Sequence, residues 1–374
     1  MAIKFRIITK RFFIYTNIAM AILLLLSCLA SYLNPQNWWV ITFLGLGFPF
    51  LLLIVCLYLL VWLILQKPRL ALISGIALLL SFKSISVFFA FHPFTHFNEK
   101  KEPGSIRIVT WNVARFIELK KNNNEGSGIR KKMFAQLKAQ NADILCLQEF
   151  HTATRSDYYN NISAIQEELH YPYYNFVYDL DGDSLYYSSI IFSRFPIVDS
   201  GFYRYPRPTL PEVLLQADID IGHDTIRVFT THLQSVQLRK KDYEKIHKIT
   251  EVEDSLVSNS KNILSKIKVG FTNRSIQANI ISNILGDSPH PVIFCGDLND
   301  VPNSYTYFQV RGDLQDAFLK KGFGIGRSFS GLSPTLRIDY IFADRHFTIH
   351  QFKRTVKKLS DHYMLTADIS LKHS

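Results

Sequence analysis

Acidic, amide and imidazole side chains follow several short apolar runs of this sequence, and these are the residue types that bind metal ions and phosphate. The run Val292–Cys295 leads through Gly296 to Asp297 and Asn299. Its length and composition predict a strand buried on both faces, and residues two apart in an extended segment project the same way. Such a carboxylate–carboxamide pair can position a phosphate group or a nucleophilic water, although by itself it is also typical of an ordinary turn.

Similar polar residues stand beside other predicted strands. They are Asn112 after Ile106–Trp111, Glu149 after Asp143–Leu147, His232 after Thr225–Thr231, Asp339 within Ile338–Phe342, and Asp361 with His362 before Met364–Leu371. A turn cap, a surface ion pair or a hydrogen bond at a sheet edge explains any one of them. Six such positions in one chain favour a shared site.

The chemistry that these residue types suit is phosphoester hydrolysis. Mg²⁺ takes carboxylate oxygens, keeps several waters and completes its shell with substrate phosphate, so Glu149 is a natural anchor for it. A water must also be deprotonated and aimed, which requires a histidine or carboxylate base held by a second group. His232 and Asn299 can donate hydrogen bonds to the charge that develops on the phosphate oxygens.

The elements that must position these residues follow residue 105. Helical spacing predicts helices at Ile129–Ala139, Tyr158–Leu169 and Ser275–Leu285, and consecutive strands fill the region from Tyr173 to Gln234. The strands predicted beyond the first two and Val292–Cys295 are Tyr186–Phe192, Ile197–Tyr205, Glu212–Ile221, Thr225–Thr231, Ile338–Phe342, Phe347–Phe352 and Met364–Leu371. This order predicts an α/β sandwich of mixed sheets.

The N-terminal region has a different composition. Three apolar runs, Phe12–Leu33, Trp38–Leu65 and Leu70–Phe91, each reach the roughly 20 residues that cross a bilayer core. We therefore predict a membrane domain over residues 1–92 with three transmembrane helices, followed by a linker over residues 93–104. A signal peptide is the alternative for the first run, but two further runs follow it and no small-residue cleavage site is evident.

Basic residues predict the orientation of these helices. Lys4, Arg6, Lys10 and Arg11 precede the first run, and Lys67 with Arg69 separates the second from the third. The positive-inside rule places both segments in the cytoplasm, so the chain beyond the third run emerges on the outer side. We expect a bacterial inner membrane, with the C-terminal domain facing the periplasm or the exterior.

The net charge of +11 arises mostly in this N-terminal region. Residues 1–100 contain eight Lys or Arg and one Glu, which leaves +4 for the remaining 274 residues. The charge is therefore weak evidence for a surface that binds polyanions. The four cysteines show no CxxC or Cys/His spacing typical of zinc, and Cys146 and Cys295 lie in apolar runs typical of buried free thiols.

A charged segment, residues 239–270, precedes the helix predicted at Ser275–Leu285. Its composition predicts a helical insertion. It can contact the membrane, cover the site or bind a partner, and a solvated helical insertion is the simpler alternative.

Taken together, the motifs WNV, QE, THL, GDLN, RIDYIF and SDH resemble those of the endonuclease/exonuclease/phosphatase superfamily, which includes DNase I-like nucleases, abasic-site endonucleases, sphingomyelinases and inositol polyphosphate phosphatases. The resemblance covers about residues 105–371. It implies a four-layer α/β sandwich of two packed mixed sheets, DNase I-like, with the site at one edge of the sheets. A tryptophan-rich signature of the inositol phosphatases is not evident.

The resemblance also implies roles for individual residues. Glu149 would bind Mg²⁺, for which Mn²⁺ can substitute, with help from Asn112 and Asp361. Asp297 and Asn299 would orient the nucleophile and the phosphate. His362, oriented by Asp339, would act as the base or activate the phosphate, and His232 would contact the scissile phosphate. Apart from the resemblance, Arg194 is a further candidate for phosphate contact, although an ordinary surface salt bridge is the favoured explanation.

These observations predict a membrane-anchored, Mg²⁺-dependent phosphodiester hydrolase, nuclease-like, with nucleic acid or another phosphodiester as substrate. The lipid bilayer is the expected partner of the N-terminal helices, and no obligate protein partner is inferred. Two alternatives remain open at this point: a lipid phosphodiesterase that resembles sphingomyelinases, and a binding module without catalysis on the same fold.

Overall fold

The computed structural model describes residues 2–121, 128–179, 184–209, 212–236 and 256–372. The chain forms two compact units, here called the helical unit and the sheet unit. The helical unit comprises Met1–Phe89, Val236–Ser275 and Val301–Phe308, and the sheet unit comprises Ala90–Ser235, Ile276–Asp300 and Gln309–Ser374. Two segments from the second half of the chain therefore belong to the same unit as the apolar N-terminal region.

The N-terminal part of the helical unit is a series of apolar helices. They are α1 (Ala2–Cys28), α2 (Pro35–Leu46), α3 (Phe48–Ile64), α4 (Pro68–Leu80) and α5 (Phe82–Phe88). Prolines stand in the first turn of α2, α3 and α4, where no intrahelical N–H bond is lost. Asn34 caps α2 by accepting a hydrogen bond from the backbone N–H of Gln36 at 2.9 Å.

In the described part of the chain, one helical stretch, Ile7–Ser31, is long and apolar enough to cross a membrane by itself. The pair α2–α3 bends by 51° and the pair α4–α5 by 63°, so each is either a broken span or a re-entrant loop. Gly47 and Pro49 lie at the first bend, where a proline ring prevents continuous helical hydrogen bonding. The described residues therefore contain one to three candidate spans, where the sequence predicted three.

Lys83, the charged residue in the third apolar run, lies in α5 and is exposed. Its ammonium group donates a hydrogen bond to the Tyr32 hydroxyl at 2.9 Å and lies 4.8 Å from the ring centre of Phe308. Residues of the helical unit thus provide both polar and aromatic partners for this charge.

The sheet unit is built from short strands. In the described residues they are β1 (Ala90–Phe91), β2 (Ile106–Asn112), β3 (Ile144–Ala153), β4 (Tyr173–Phe176), β5 (Leu185–Ser193), β6 (Ile197–Arg204), β7 (Val213–Asp220), β8 (Thr225–His232), β9 (Val292–Asp297), β10 (Gln315–Asp316), β11 (Phe323–Gly324), β12 (Asp339–Ala343), β13 (Phe347–Thr355) and β14 (Met364–Leu371). The other α-helices among the described residues are α6 (Ile129–Gln140), α7 (Asn161–Leu169), α8 (Leu256–Gly286), α9 (Tyr305–Arg311) and α10 (Ala317–Lys321), of which α8 and α9 each extend over both units.

Two six-stranded mixed sheets form the body of this unit. The first has the order β13-β14-β2-β3-β5-β4, and the second has the order β10-β12-β9-β8-β7-β6. The pairs β2–β3 and β8–β9 are parallel, and the other pairs are antiparallel. Strands β1 and β11 form a separate two-stranded sheet. The two packed mixed sheets with helices confirm the fold class expected from the sequence.

Apolar side chains fill the space between the sheets. Cys146 and Ile191 of the first sheet belong to the same buried cluster as Ile293 and Cys295 of the second. On the outer face of the first sheet, a second cluster packs Leu147 and other strand residues against helices α6 and α7. Buried apolar area of this kind is the main favourable contribution to folding. Both cysteines are free and buried, as expected.

Several elements differ from the pattern-based expectation. Strand β3 continues to Ala153, beyond the expected end at Leu147, whereas the edge strand β4 at Tyr173–Phe176 lies where strands were expected. The helix expected at Ser275–Leu285 is the end of one long helix, α8, that begins at Leu256. Residues 256–270 of the expected insertion are thus helical, whereas residues 239–255 lie outside the described residues.

Candidate active site

The parallel pairs β2–β3 and β8–β9 bring polar strand ends together in the sheet unit. In the first sheet Asn112 lies opposite Gln148. In the second sheet Asp297 lies between His232 on one neighbouring strand and Asp339 on the other. A Cβ atom at Gly296 would lie 2.5 Å from the carbonyl oxygen of the facing Thr231, so glycine is required for this close approach of the strands.

An irregularity in β3 places the consecutive residues Gln148 and Glu149 in different surroundings. The register with β5 shifts between Leu147 and Phe150, as in a β-bulge, and Glu149 has a φ of 48°. Gln148 is buried and donates hydrogen bonds to Thr110 at 3.0 Å and to Thr230 at 2.9 Å, which joins the two sheets. Glu149, by contrast, is only partly buried, with 29% of its side chain exposed.

Asn112 connects carboxylates of the two sheets. Its amide nitrogen donates to Glu149 Oε1 and to Asp297 Oδ2, both at 3.1 Å. Its oxygen accepts a hydrogen bond from the backbone N–H of Ala114 at 3.1 Å. The side chain is fully buried, so every polar atom of the amide needs such a partner.

His362 is held by Asp339 and faces Asp297. The Nδ1 atom of His362 lies 2.9 Å from Asp339 Oδ2, and its Nε2 atom lies 3.6 Å from Asp297 Oδ2. Trp111 fixes the backbone by donating its indole N–H to the His362 carbonyl oxygen at 3.0 Å. A carboxylate at Nδ1 fixes the orientation of the imidazole ring, so that Nε2 can donate or accept a proton.

His232 approaches Asp297 from the second sheet. Its Nε2 atom lies 3.6 Å from Asp297 Oδ2, 3.7 Å from Glu149 Oε1 and 2.9 Å from Asn299 Nδ2. On the other side of the ring, Nδ1 lies 3.3 Å from Glu212 Oε1. Asp297 Oδ2 therefore lies at equal distances from the Nε2 atoms of His232 and His362.

The charges of this group shift the pKa of both histidines. Burial opposes protonation of His232, but Glu212, Asp297 and Glu149 favour it more strongly and raise its pKa to about 10. Burial likewise opposes protonation of His362, and the nearby Asp339 and Asp297 raise its pKa to about 10. In the chain without a bound ion, both imidazoles therefore carry positive charge at neutral pH.

For the pKa of Asp297, burial and a like charge outweigh the effect of the neighbouring opposite charges. Burial and the neighbouring carboxylate of Asp339 raise the pKa of Asp297, and the two histidines lower it in part. The backbone N–H of Asn299 donates to Asp297 Oδ1 at 2.8 Å, and the amide nitrogen of Asn299 also donates to the Leu233 carbonyl oxygen at 2.8 Å. Asp297 is thus a buried carboxylate with raised basicity inside a group of hydrogen-bond donors.

The structure brings most of the residues expected from the sequence into one group. These are Asn112, Glu149, His232, Asp297, Asn299, Asp339 and His362. Asp361 is exposed, and its side chain accepts a hydrogen bond from Ser360 at 3.2 Å. The Ser360 hydroxyl also lies 2.8 Å from the Asn112 carbonyl oxygen, and Asp361 acts electrostatically on His362.

Arg194 is not brought to the site. It follows β5 where Ser193 pairs with Ile144, at the start of β3, whereas Glu149 lies further along that strand beyond the irregularity. Its guanidinium donates to Asn141 at 2.6 Å and stacks on Tyr171 at 5.0 Å. The structure therefore places Arg194 in local contacts at the other end of the strand pair.

Two residues of the site were missed by sequence reasoning. Glu212 faces His232 from the residue just before β7, and this contact depends on the register of β7 against β8, in which Leu214 pairs with Thr231. Burial raises the pKa of Tyr187, and the nearby carboxylates of Glu149 and Glu212 raise it further. No sequence signal separates this tyrosine from the other aromatic residues of the region.

The donor set fits a hard divalent cation. Asp297, Asp339 and His362 each offer a ligand atom, and these atoms lie within 4.8 Å of one another. Burial and then the neighbouring carboxylate of Asp339 raise the pKa of Asp297, and a bound cation would offset both effects. Asn112 turns its nitrogen, not its oxygen, toward the carboxylates, so its oxygen is not presented to an ion between them.

Comparison with known proteins agrees with this architecture. The model of the Endonuclease/Exonuclease/phosphatase family matches residues 109–362, and a family described as a domain of unknown function matches residues 10–88. No curated protein matches the chain. An endonuclease/exonuclease/phosphatase from Beutenbergia cavernae DSM 12333 is similar in structure, with a TM-score of 0.52 and 19% identity over 73% of this chain and 72% of that one.

Two other solved structures are similar at lower scores. The human Nocturnin catalytic domain with bound sulfate anion has a TM-score of 0.49 and 17% identity over 73% of this chain and 97% of that one. The D. rerio TDP2 complexed with single strand DNA product has a TM-score of 0.47 and 15% identity over 71% of this chain and 99% of that one. The family model covers more than half of the sequence and the whole group of polar residues from Asn112 to His362. The chain therefore belongs to the Endonuclease/Exonuclease/phosphatase family, whose members are phosphoester hydrolases.

Proposed function

We propose that the protein is a membrane-anchored, Mg²⁺-dependent phosphodiesterase with nuclease-like activity. The observation that carries this proposal is the position of Asp297 Oδ2, which lies 3.6 Å from the Nε2 atoms of both His232 and His362. A basic carboxylate between two imidazolium groups can take a proton from water while the imidazoles bind the phosphoryl oxygens.

In the proposed reaction, water attacks phosphorus, the new P–O bond forms and the bond to the leaving oxygen breaks. Asp297 accepts the proton of the attacking water, and Asn299 helps to orient that water and the phosphate. His362, held through Nδ1 by Asp339, donates a hydrogen bond from Nε2 to a phosphoryl oxygen. His232 contacts the phosphate from the other side and gives its proton to the leaving oxygen. Bound Mg²⁺ would neutralise phosphate charge and stabilise the leaving group.

We also propose residues 105–371 as the catalytic domain and residues 1–92 as the membrane domain. Support comes from the apolar helix Ile7–Ser31 and from the basic residues at and before its N-terminal end. With Lys67 and Arg69 on the cytoplasmic side, the catalytic domain faces outward. A reporter enzyme fused after Ser374 that is active only in the periplasm would support this orientation, and activity only in the cytoplasm would overturn it.

A lipid phosphodiesterase is the second candidate. The specific observation in its favour is the same apolar helix, because an enzyme held at a bilayer meets lipid headgroups at high local concentration. The buried polar group itself suits any phosphodiester and does not separate a lipid from a nucleic acid.

The test uses the full chain in detergent micelles, because Val301–Phe308, directly after the Asp297–Asp300 segment, belongs to the helical unit. Plasmid nicking is measured with Mg²⁺, with EDTA and with the Asp297→Asn variant. Nicking that requires both the metal and Asp297 would support the proposal. Hydrolysis of sphingomyelin or phosphatidylinositol vesicles without nicking would favour the second candidate, and no turnover on either would overturn both.

A further inference from the structure

An apolar groove runs along one side of helix α1 in the helical unit. The side chains that line it are Ile22, Leu25, Leu26, Cys28, Leu29, Tyr32 and Leu80. Most of them recur at intervals of three or four residues, which places them on one side of the helix. The groove has a volume of about 350 Å³, which is within the range of sites that bind small molecules.

The length of the groove matches one leaflet of a bilayer. Ile22 lies near the middle of the helical stretch Ile7–Ser31, and Tyr32 directly follows the end of that stretch. The ten residues from Ile22 to Tyr32 rise by about 15 Å in a helix, which is half of the roughly 30 Å hydrocarbon core. In the proposed membrane domain, the groove therefore extends from the bilayer centre to one interface, where tyrosine is favoured.

A cation lies at the interface end of this groove. The ammonium group of Lys83 donates a hydrogen bond to the Tyr32 hydroxyl at 2.9 Å and lies 4.1 Å from the centre of the same ring. Leu80, three residues earlier in the chain, lines the groove. The Lys83 side chain is exposed, and the Tyr32 hydroxyl accepts one of its three N–H donors.

The charge of Lys83 is not balanced within the described part of the helical unit. Residues 2–89, 236, 256–275 and 301–308 contain no Asp or Glu. The contacts of the ammonium group with the Tyr32 hydroxyl and with the rings of Tyr32 and Phe308 are all contacts with neutral groups. A charge within an apolar stretch is costly unless an opposite charge accompanies it. An anion bound beside Lys83 would supply that charge.

The polar end of the groove must provide its selectivity. Lipid tails are as apolar as leucine side chains, so the apolar part of the groove does not favour one phospholipid of the bilayer over another. Basic groups between membrane helices bind anionic headgroups. A zwitterionic headgroup carries an ammonium group of its own, which repels Lys83 and offsets the attraction of the phosphate.

We propose that this groove binds one anionic phospholipid, with its phosphate on Lys83 and Tyr32 and one acyl chain along Ile22 and Leu29. The inference rests on the proposed membrane domain. It goes beyond the proposed reaction, because none of these residues belongs to the candidate active site. It assigns a ligand to the helical unit, whereas the proposed reaction concerns the sheet unit.

The test is native mass spectrometry of the full chain released from detergent micelles. Dioleoyl phosphatidylglycerol, which is anionic, and dioleoyl phosphatidylethanolamine, which is zwitterionic, are added in increasing amounts. We expect the first bound phosphatidylglycerol to bind about 5- to 20-fold more tightly than the first bound phosphatidylethanolamine. Lys83→Gln should remove this difference by weakening phosphatidylglycerol alone, and Lys83→Arg should keep it because the charge remains.

Matched variants separate this site from a general effect of charge or surface. Lys67→Gln removes the same charge from an exposed residue at the other end of α4, and it should leave the preference unchanged. Leu29→Trp fills the groove and should weaken both lipids, whereas Leu72→Trp alters a residue of α4 that is 60% exposed and does not line the groove. Equal affinities for the two lipids, or a preference that survives Lys83→Gln, would overturn the site.

Two further measurements distinguish failure of the lipid site from failure of the proposed function. If sodium carbonate washes the chain out of phosphatidylcholine vesicles, the membrane domain and the lipid site are overturned together. A chain that stays inserted but has no Lys83-dependent preference would overturn the lipid site alone. Lys83-dependent binding by a chain that nicks no plasmid would support the lipid site and overturn the nuclease.

Discussion

The amide nitrogen of Asn112 lies 3.1 Å from Asp297 Oδ2, and this contact joins the end of β2 in one sheet to the end of β9 in the other. The same nitrogen reaches Glu149 at 3.1 Å. One buried amide therefore supplies a neutral donor between two carboxylates. Without it, two carboxylates of the site would lose a hydrogen bond that burial makes costly to replace.

Replacing Asn112 by leucine should therefore destabilise the sheet unit. The variant removes a donor that serves two buried or half-buried carboxylates, so we expect the free energy of unfolding to fall by about 1–3 kcal/mol. Thermal unfolding of the full chain in detergent with EDTA measures this change. Turnover should fall as well, and a variant as stable and as active as the original would contradict the connecting role of Asn112.

Replacing Asp297 by asparagine should abolish turnover while the fold survives. The change removes the proposed base, and general bases contribute about 10²- to 10⁴-fold to rate. It also removes a buried charge whose pKa is raised by burial and by Asp339, so without metal the unfolding midpoint should stay equal or rise. Asp313→Asn, at a carboxylate that is 90% exposed, is the matched control for the chemistry. Full activity of the Asp297 variant would remove this residue from the mechanism.

The pair Glu212–His232 predicts a pH dependence of stability in EDTA. The pKa of His232 rises from 6.5 to about 10 on folding, so its protonation stabilises the fold fully below about pH 6.5. This contribution is lost as the pH rises through about 10, with a slope of at most roughly 1.4 kcal/mol per pH unit for one proton. Glu212→Gln should reduce the slope between pH 7 and 10, because the variant removes the neighbour that favours the charged imidazole most.

His362 provides the internal reference for this measurement. Its pKa is also raised to about 10, chiefly by Asp339, and Glu212 is not among the causes. Part of the slope should therefore remain in Glu212→Gln. Unfolding midpoints measured at intervals from pH 6 to 10 give the two slopes, and identical slopes would show that Glu212 does not set the charge of His232.

The helical unit is tightly packed around Gly45 in α2. A Cβ atom there would lie 2.5 Å from the Ala30 Cβ and 3.1 Å from the Asn303 carbonyl oxygen. Gly45→Ala should therefore destabilise the helical unit by about 1–3 kcal/mol, as overpacking does. It should also lower turnover, because Val301–Phe308, which contains Asn303, directly follows the Asp297–Asp300 segment in the chain.

Gly75 in α4 offers the matched control for this substitution. A Cβ atom there meets nothing within 4 Å, so Gly75→Ala should stabilise the helix by about 0.5–1 kcal/mol and leave turnover unchanged. Both variants are compared by thermal unfolding in the same detergent and by plasmid nicking. Equal effects of the two substitutions would show that the contact of Gly45 with Ala30 and Asn303 is not rigid.

The positions of the strands and of the site residues were largely predictable because both depend on local patterns. Apolar runs predicted β2, β8, β9 and β14 within a residue or two, and the polar residues at their ends proved to converge. Arg194 shows the limit of this approach. An arginine at this position suggested contact with phosphate, but the end of the β3–β5 pair at which Arg194 lies depends on the register of the two strands.

Features that depend on long-range packing were not predictable from pattern. The bends at Gly47 and Ser81 lie inside runs that are uniformly apolar, so composition alone predicts continuous spans. Arg115 and Tyr187 are 72 positions apart in the sequence, and they meet only because a left-handed turn directs the arginine onto β5. A hydrophobicity pattern contains no information about such a turn.

The sequence by itself thus determined the family, the apolar N-terminal region and the identity of most groups in the candidate site, because residue type and strand periodicity are local properties. The tertiary structure alone decided which carboxylates surround Asp297, that Glu212 faces His232, and that Val301–Phe308 belongs to the helical unit. These depend on how distant segments pair and pack, and the free energy of packing is shared among many contacts that no single stretch of sequence contains.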